Sequence, residues 1–228
     1  MNQLHDLLPL AVGMLLSPLP IVAIVAIVLA PRGRAAAPVY TLAFTAVSLV
    51  FIVVGALSSA AASSASPTGT ARTVSFVLAI VLALGFTVLA VASWLSRPQH
   101  GQQPKAPSWL AAIDTVTPAK AAALGLVMAL TNTKNIPLAL KGGALIGEAH
   151  LPLIAAVGLC LALAVAGSLL LILPTAVATG GSPRVAAALR RLKTEMITHN
   201  AAMMTVLFAI LAANEAAQVL HHLVSSSS

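Results

Sequence analysis

Thr131-Asn-Thr-Lys-Asn-Ile-Pro137 is the stretch of this chain best equipped for chemistry. It interrupts an apolar run over residues 121–147 that is long enough to cross a bilayer, since about 20 residues cover the hydrocarbon core. Asn132, Lys134 and Asn135 stand in the middle of that run. An ionisable group at such depth costs several kcal/mol on the mildest scales and marks a binding site or a pathway. Pro137 lacks an N–H and its ring crowds the carbonyl of Thr133, so the stretch reads as a broken helix. Broken helices with polar midpoints are how many transporters build their sites. Thr131 opens the same interruption.

A second interruption, Ser17-Pro-Leu-Pro20, lies in the first apolar run, residues 7–30. Pro18 and Pro20 leave the carbonyls of Met14 and Leu16 without their usual donors, free to hold hydroxyls or a cation. The prolines fall roughly 15–20 Å from the outer end of that run, and Lys134 roughly 20 Å from the end of its own. A single break reads as a bare kink; two at matching depth, one of them bearing a lysine, read as a site. Lys141 is seven residues from Lys134 and shares its helix face. Glu215 falls near the depth of Lys141, so an ion pair or coupling role is expected there. Lys134 has no carboxylate at its level, so it should meet an anionic ligand, a helix C-terminal end or water. The expected binding set is Lys134, Asn132, Asn135, Ser17, Pro18, Pro20, Lys141 and Thr131.

The elements that must position these residues follow from composition. The 228 residues are 59% hydrophobic and 7% charged, with a mean hydropathy of +1.01. A soluble domain carries about 25% charged residues. Continuous apolar runs, without alternation, exclude an outer-membrane barrel. The chain is expected to be an all-α integral membrane protein with six transmembrane helices, over residues 7–30, 39–57, 74–95, 121–147, 151–178 and 197–223. Small residues 58–71 read as a loop, and Pro174 falls near the end of the fifth span. Residues 1–96 then form a first three-helix repeat, 97–119 a cytoplasmic linker, 120–224 a second repeat and 225–228 a disordered tail.

Arg32, Arg34, Arg97, Lys105, Lys120, Arg184, Arg190, Arg191 and Lys193 fall on one side and Arg72 alone on the other. The positive-inside rule puts both termini outside. Spans one and four then cross in opposite directions, each opening its half and each broken, which is the pattern of two inverted repeats. The net charge of +7 serves orientation and anionic lipid, with no nucleic-acid partner. The N-terminus lacks a basic signal region, so the first run reads as a retained span. Cys160 is the only cysteine and reads as a small hydrophobe. His199 and Asn200 fall at the cytoplasmic mouth of span six, and His221 and His222 at its outer end. Thr41, Thr45 and Ser48 form a stripe on span two, read as helix–helix bonding or bonding back to carbonyls. Asp114 reads as a loop residue. No acidic cluster suits a metal, and no nucleotide or hydrolase motif occurs, so neither cofactor nor enzymatic activity is expected.

With these residues in view, the chain resembles the lysine-exporter superfamily, and within it the group of glycolipid-addressing and sulfolipid-addressing (GAP, Sap) membrane proteins. The resemblance runs over nearly the whole chain. It rests on the six spans, the Ser17-Pro18-Leu19-Pro20-Ile21 break, the long polar middle loop and the break at Thr131–Pro137. Related exporters often carry Asn-Pro-Lys at the second break. Asn132 and Lys134 match that motif, while Thr133 replaces its proline and Pro137 follows three residues later. The resemblance implies a homodimer and export of a polar-headed, anionic glycolipid or lipid-linked metabolite across the plasma membrane by a transporter or flippase. The alternatives are an amino-acid or small-metabolite exporter, and a non-transporting partner of a lipid-synthesis enzyme recruited through residues 184–193.

Overall fold

The computed structural model describes residues 4–64, 69–96, 113, 115–177 and 182–226. Among them there is no strand. After a 3₁₀ turn at Leu4–Asp6, the helices in chain order are α1 (Leu7–Leu15), α2 (Pro18–Leu29), α3 (Gly33–Ser64), α4 (Gly69–Leu95), α5 (Pro118–Leu130), α6 (Asn135–Glu148), α7 (Leu153–Gly167), α8 (Leu169–Val177) and α9 (Pro183–Ser226). The expected linker at 97–112, with Asp114, lies outside the described residues, as does the tail at 227–228. The helical part of the tail, through Ser226, continues α9.

The chain is an all-helical membrane protein. Gly33–Ala60 in α3 and Pro183–Ala217 in α9 are each long and apolar enough to cross a bilayer. Two bent pairs raise that number to as many as four where each pair is one span: α1 and α2 are bent by 52°, α7 and α8 by 66°. Ile80–Leu95 and Pro118–Leu130 are shorter apolar helices. Leu153 and Ile154 on α7 are 80% and 89% exposed, a placement that hydrocarbon tolerates and water does not.

Three details depart from the sequence reading. The small residues after Leu57 extend α3 to Ser64, because alanine is the strongest helix former and this run is rich in it. The fifth apolar run is broken at Ser168, ahead of Pro174, which sits inside α8. The prolines at the first two breaks start helices rather than kink them. Pro18 is the first residue of α2 and Pro20 the third; Pro137 is the third residue of α6. The first amides of a helix have no partner within it, so a proline there forfeits no hydrogen bond.

Compactness divides the chain into two units. One comprises Met1–Ala61 and Lys105–Ile197, the other Ala62–Pro104 and Thr198–Ser228. In the second, Phe86 of α4 stacks on Phe208 of α9, ring centroids 6.1 Å apart.

The first unit is built around α2. Its residues Ile21 through Ile27 are buried on every side, as expected of a helix that is apolar all round. α1 packs on α6 and α7, while α2 packs on α5 and α8. The unit therefore has two tiers, α1–α6–α7 and α2–α5–α8, and three chain breaks lie at the level where the tiers meet. Met14 and Gly167 hold that level together: a Cβ on Gly167 would stand 3.0 Å from the Met14 Cβ. The hydroxyl of Tyr40 on α3 donates to the carbonyl of Pro20 at 3.1 Å.

Lipid tails are as apolar as the helices, so close backbone approach replaces the hydrophobic effect as the source of helix association. Gly143 of α6 lies directly against the carbonyl of Ile52 on α3, and Gly55 of α3 against that of Leu140 on α6. A side chain at either point would collide with backbone. We expect Gly143→Leu to destabilise the protein by about 1–3 kcal/mol, the usual cost of overpacking, measured as a fall in Tm in detergent. Gly158→Ala, where a Cβ meets nothing within 4 Å, should leave Tm unchanged or raise it.

Candidate functional site

The break between α5 and α6 is four residues long, Thr131 to Lys134, with helices of 13 and 14 residues on either side. It therefore sits halfway along the pair, roughly 20 Å from each end. Lys134 caps α6 and is 1% exposed. Its ammonium donates to the Gly13 carbonyl at 2.6 Å and to Asn135 Oδ1 at 2.8 Å.

Gly13 is in the last turn of α1, where carbonyls lack intrahelical donors and the helix dipole is negative. The amide expected to serve Gly13 is that of Ser17, which turns back to the Leu15 carbonyl instead, at 2.9 Å. The lysine takes the vacated acceptor. No carboxylate stands at ion-pair distance from Lys134 among the described residues. The buried cation is held by a helix terminus and one neutral amide oxygen.

The other members of the cluster complete the cage. Asn135 Nδ2 donates to the Met14 carbonyl at 3.2 Å. The Ser17 hydroxyl lies 3.0 Å from that carbonyl and 3.2 Å from Asn135 Oδ1, sharing its one proton between them. It accepts from Asn132 Nδ2 at 3.2 Å. Ser17 precedes α2 without capping it through its side chain, so its oxygen is committed to the cage. Residues more than a hundred positions apart are thereby tied across α1 and α6.

Ser17, Asn132, Lys134 and Asn135 come together as one site. Thr131 does not join them: its exposed hydroxyl bonds back to the Val127 carbonyl at 2.7 Å. Pro18 and Pro20 are buried and contribute by starting α2. Lys141 is half-buried, two turns further along α6. Glu215 is buried at 3% exposure on α9, in the second unit. The Met14 carbonyl, expected to be free, is taken twice over by Ser17 and Asn135. Two of the three stripe residues on α3 make the expected bonds, while the buried Thr45 hydroxyl has no hydrogen-bond partner among the described residues. Thr41 bonds to the hydroxyl of Thr175 at 2.8 Å, which itself donates to the Leu171 carbonyl. Ser48 bonds back to the Phe44 carbonyl.

Two residues at the breaks were not singled out from the sequence. Gly13 contributes only a carbonyl, exposed by a turn that begins four residues later. Ser168 is fully buried at the α7–α8 break, and its hydroxyl has no hydrogen-bond partner among the described residues. Its backbone closes the turn: its amide donates to the carbonyls of Ala164 and Val165, and its carbonyl accepts from Leu171 and Ile172. A polar residue in the middle of an apolar run was the available clue.

Asn135→Leu would strip the ammonium of one of its two acceptors and leave the Met14 carbonyl short of a donor. We expect a loss of about 2–4 kcal/mol, within the range for an uncompensated buried charge and an unmade hydrogen bond. Asn132→Leu, which removes one half-buried hydrogen bond, should cost about 1 kcal/mol. The difference in Tm between the two purified variants in detergent checks the ranking.

Residues 7–221 match the family model described as Sap, sulfolipid-1-addressing protein. No curated protein gave a match, and no solved structure did.

Proposed function

The chain belongs to the sulfolipid-1-addressing protein family, and from that premise we propose that it is a transporter or flippase carrying a polar-headed, anionic lipid outward across the plasma membrane. The observation that carries the reading is the Lys134 ammonium, buried at a helix break with neutral partners alone. A cation placed this way is ready for an anion. An anion adds the attraction of a full opposite charge to the hydrogen bond, which a neutral carbonyl does not. A sulfate, phosphate or carboxylate head would therefore draw Lys134 off the end of α1. Ser17 shares the Asn135 Oδ1 acceptor with the lysine, and Asn132 donates to Ser17, so the whole tie between α1 and α6 would loosen with it. Lys134 is 1% exposed, so cargo reaches it only if α1 and α6 part, which couples binding to opening.

On this reading the chain crosses the membrane six times, as α1–α2, α3, α4, α5–α6, α7–α8 and α9. The halves are inverted repeats in the manner of the lysine-exporter superfamily, and the basic residues hold both termini outside. Alternating access would move the halves about the paired breaks. No enzymatic step is involved, and a homodimer is compatible with the scheme. An amino-acid cargo would need an acceptor for its ammonium, and the cage around Lys134 offers no carboxylate among the described residues.

The test is reconstitution of the full chain into liposomes with a fluorescent anionic lipid and a zwitterionic control. Wild-type protein should move the anionic lipid faster. Lys134→Ala should slow it about tenfold or more, the equivalent of losing one charge-assisted hydrogen bond, while remaining folded by Tm. Wild-type rates in Lys134→Ala, or counterflow of amino acids without lipid movement, would remove the basis for the proposal.

A further inference from the structure

At the far end of α2 from the Lys134 cluster, the first unit opens a cavity of about 470 Å³. It gathers the α2–α3 turn, the first residues of α5 and α9, and the last residue of α8. Its lining joins the apolar Val28, Leu29, Val177 and Leu189 to the cationic Arg32 and Arg34. Both arginines are exposed, and neither pairs with a carboxylate among the described residues. No acidic residue lines the cavity among the described residues. Pro118 and Ser182, at the starts of α5 and α9, bring two positive helix ends to the same rim.

A lining that joins exposed arginines to apolar side chains is complementary to a molecule with an anionic head and a hydrocarbon body. A soluble anion would make no use of the apolar side chains. Orientation of the chain would make use of the charges, yet it requires no cavity. We propose that this cavity binds the headgroup of an anionic membrane lipid, its phosphate or sulfate on Arg32 and Arg34 and its first acyl carbons along Val28, Leu29 and Val177. The twelve residues of α2 separate this place from Ser17 by roughly 18 Å. It is a second lipid site, at the basic end of the helices, and stands whether or not Lys134 moves cargo.

Native mass spectrometry of the full chain, purified in neutral detergent, tests it with phosphatidylglycerol against phosphatidylcholine. Phosphatidylglycerol should be retained in preference. The double variant Arg32→Gln/Arg34→Gln should lower that retention about tenfold, given the strength of basic contacts to anionic lipid. Ala186→Trp, which fills the cavity without altering charge, should lower it comparably and supplies a second reading should the arginine variant fail to fold. Arg190→Gln/Arg191→Gln, exposed on α9 and outside the lining, should bind as wild type. Equal retention of the two lipids, an equal loss in the Arg190/Arg191 variant, or displacement of lipid by millimolar inorganic phosphate would each overturn the proposal. A failure of lipid movement through Lys134 would leave this result untouched.

Discussion

The meeting of α1 and α6 in the first unit centres on one bond, from the Lys134 ammonium to the carbonyl of Gly13. A bilayer supplies no water to backbone groups, so every break in a membrane helix must find partners within the protein. Here two breaks answer each other. The end of α1 offers carbonyls, the start of α6 offers a cation and an amide, and the exchange satisfies both. The prolines belong to the same solution. They occupy the opening positions of α2 and α6, where an ordinary residue would present an amide with no acceptor.

That exchange explains the arrangement around it. α1 must reach α6 closely enough for a 2.6 Å bond, and the glycines between α3 and α6 allow the backbones to approach. The third break, at Ser168, lets the α7–α8 pair follow the bend of α1–α2, so α7 stays on α1 and α8 on α2. Apolar packing alone would accept straight helices. The polar cage demands bent ones, at one level, with small residues where they touch.

Much of this was legible in the residues. Lysine and asparagines in an apolar run announce a polar break because their burial is costly, and Ser17 with two prolines announces its counterpart. Other features were hidden for physical reasons. A carbonyl belongs to every residue, so nothing marks Gly13 as an acceptor until the turn at Ser17 is known. A proline reads alike as a kink or a first-turn residue until the cap before it is fixed. Ser168 is one small hydroxyl in a hydrocarbon stretch, readily taken for a residue bonding back to its own helix. The extension of α3 was misread because alanine and serine runs suit loops by composition and helices by propensity.

The neutrality of the cage has an electrical consequence. With no carboxylate beside it among the described residues, a protonated Lys134 in the proposed six-span arrangement would carry its charge undiluted into the field of the membrane. A unit charge crossing the full potential does roughly 2.3 kcal/mol of work per 100 mV, and a stationary one does none. Voltage would therefore distinguish a lysine that travels with the helices from one that stays in place while its surroundings rearrange.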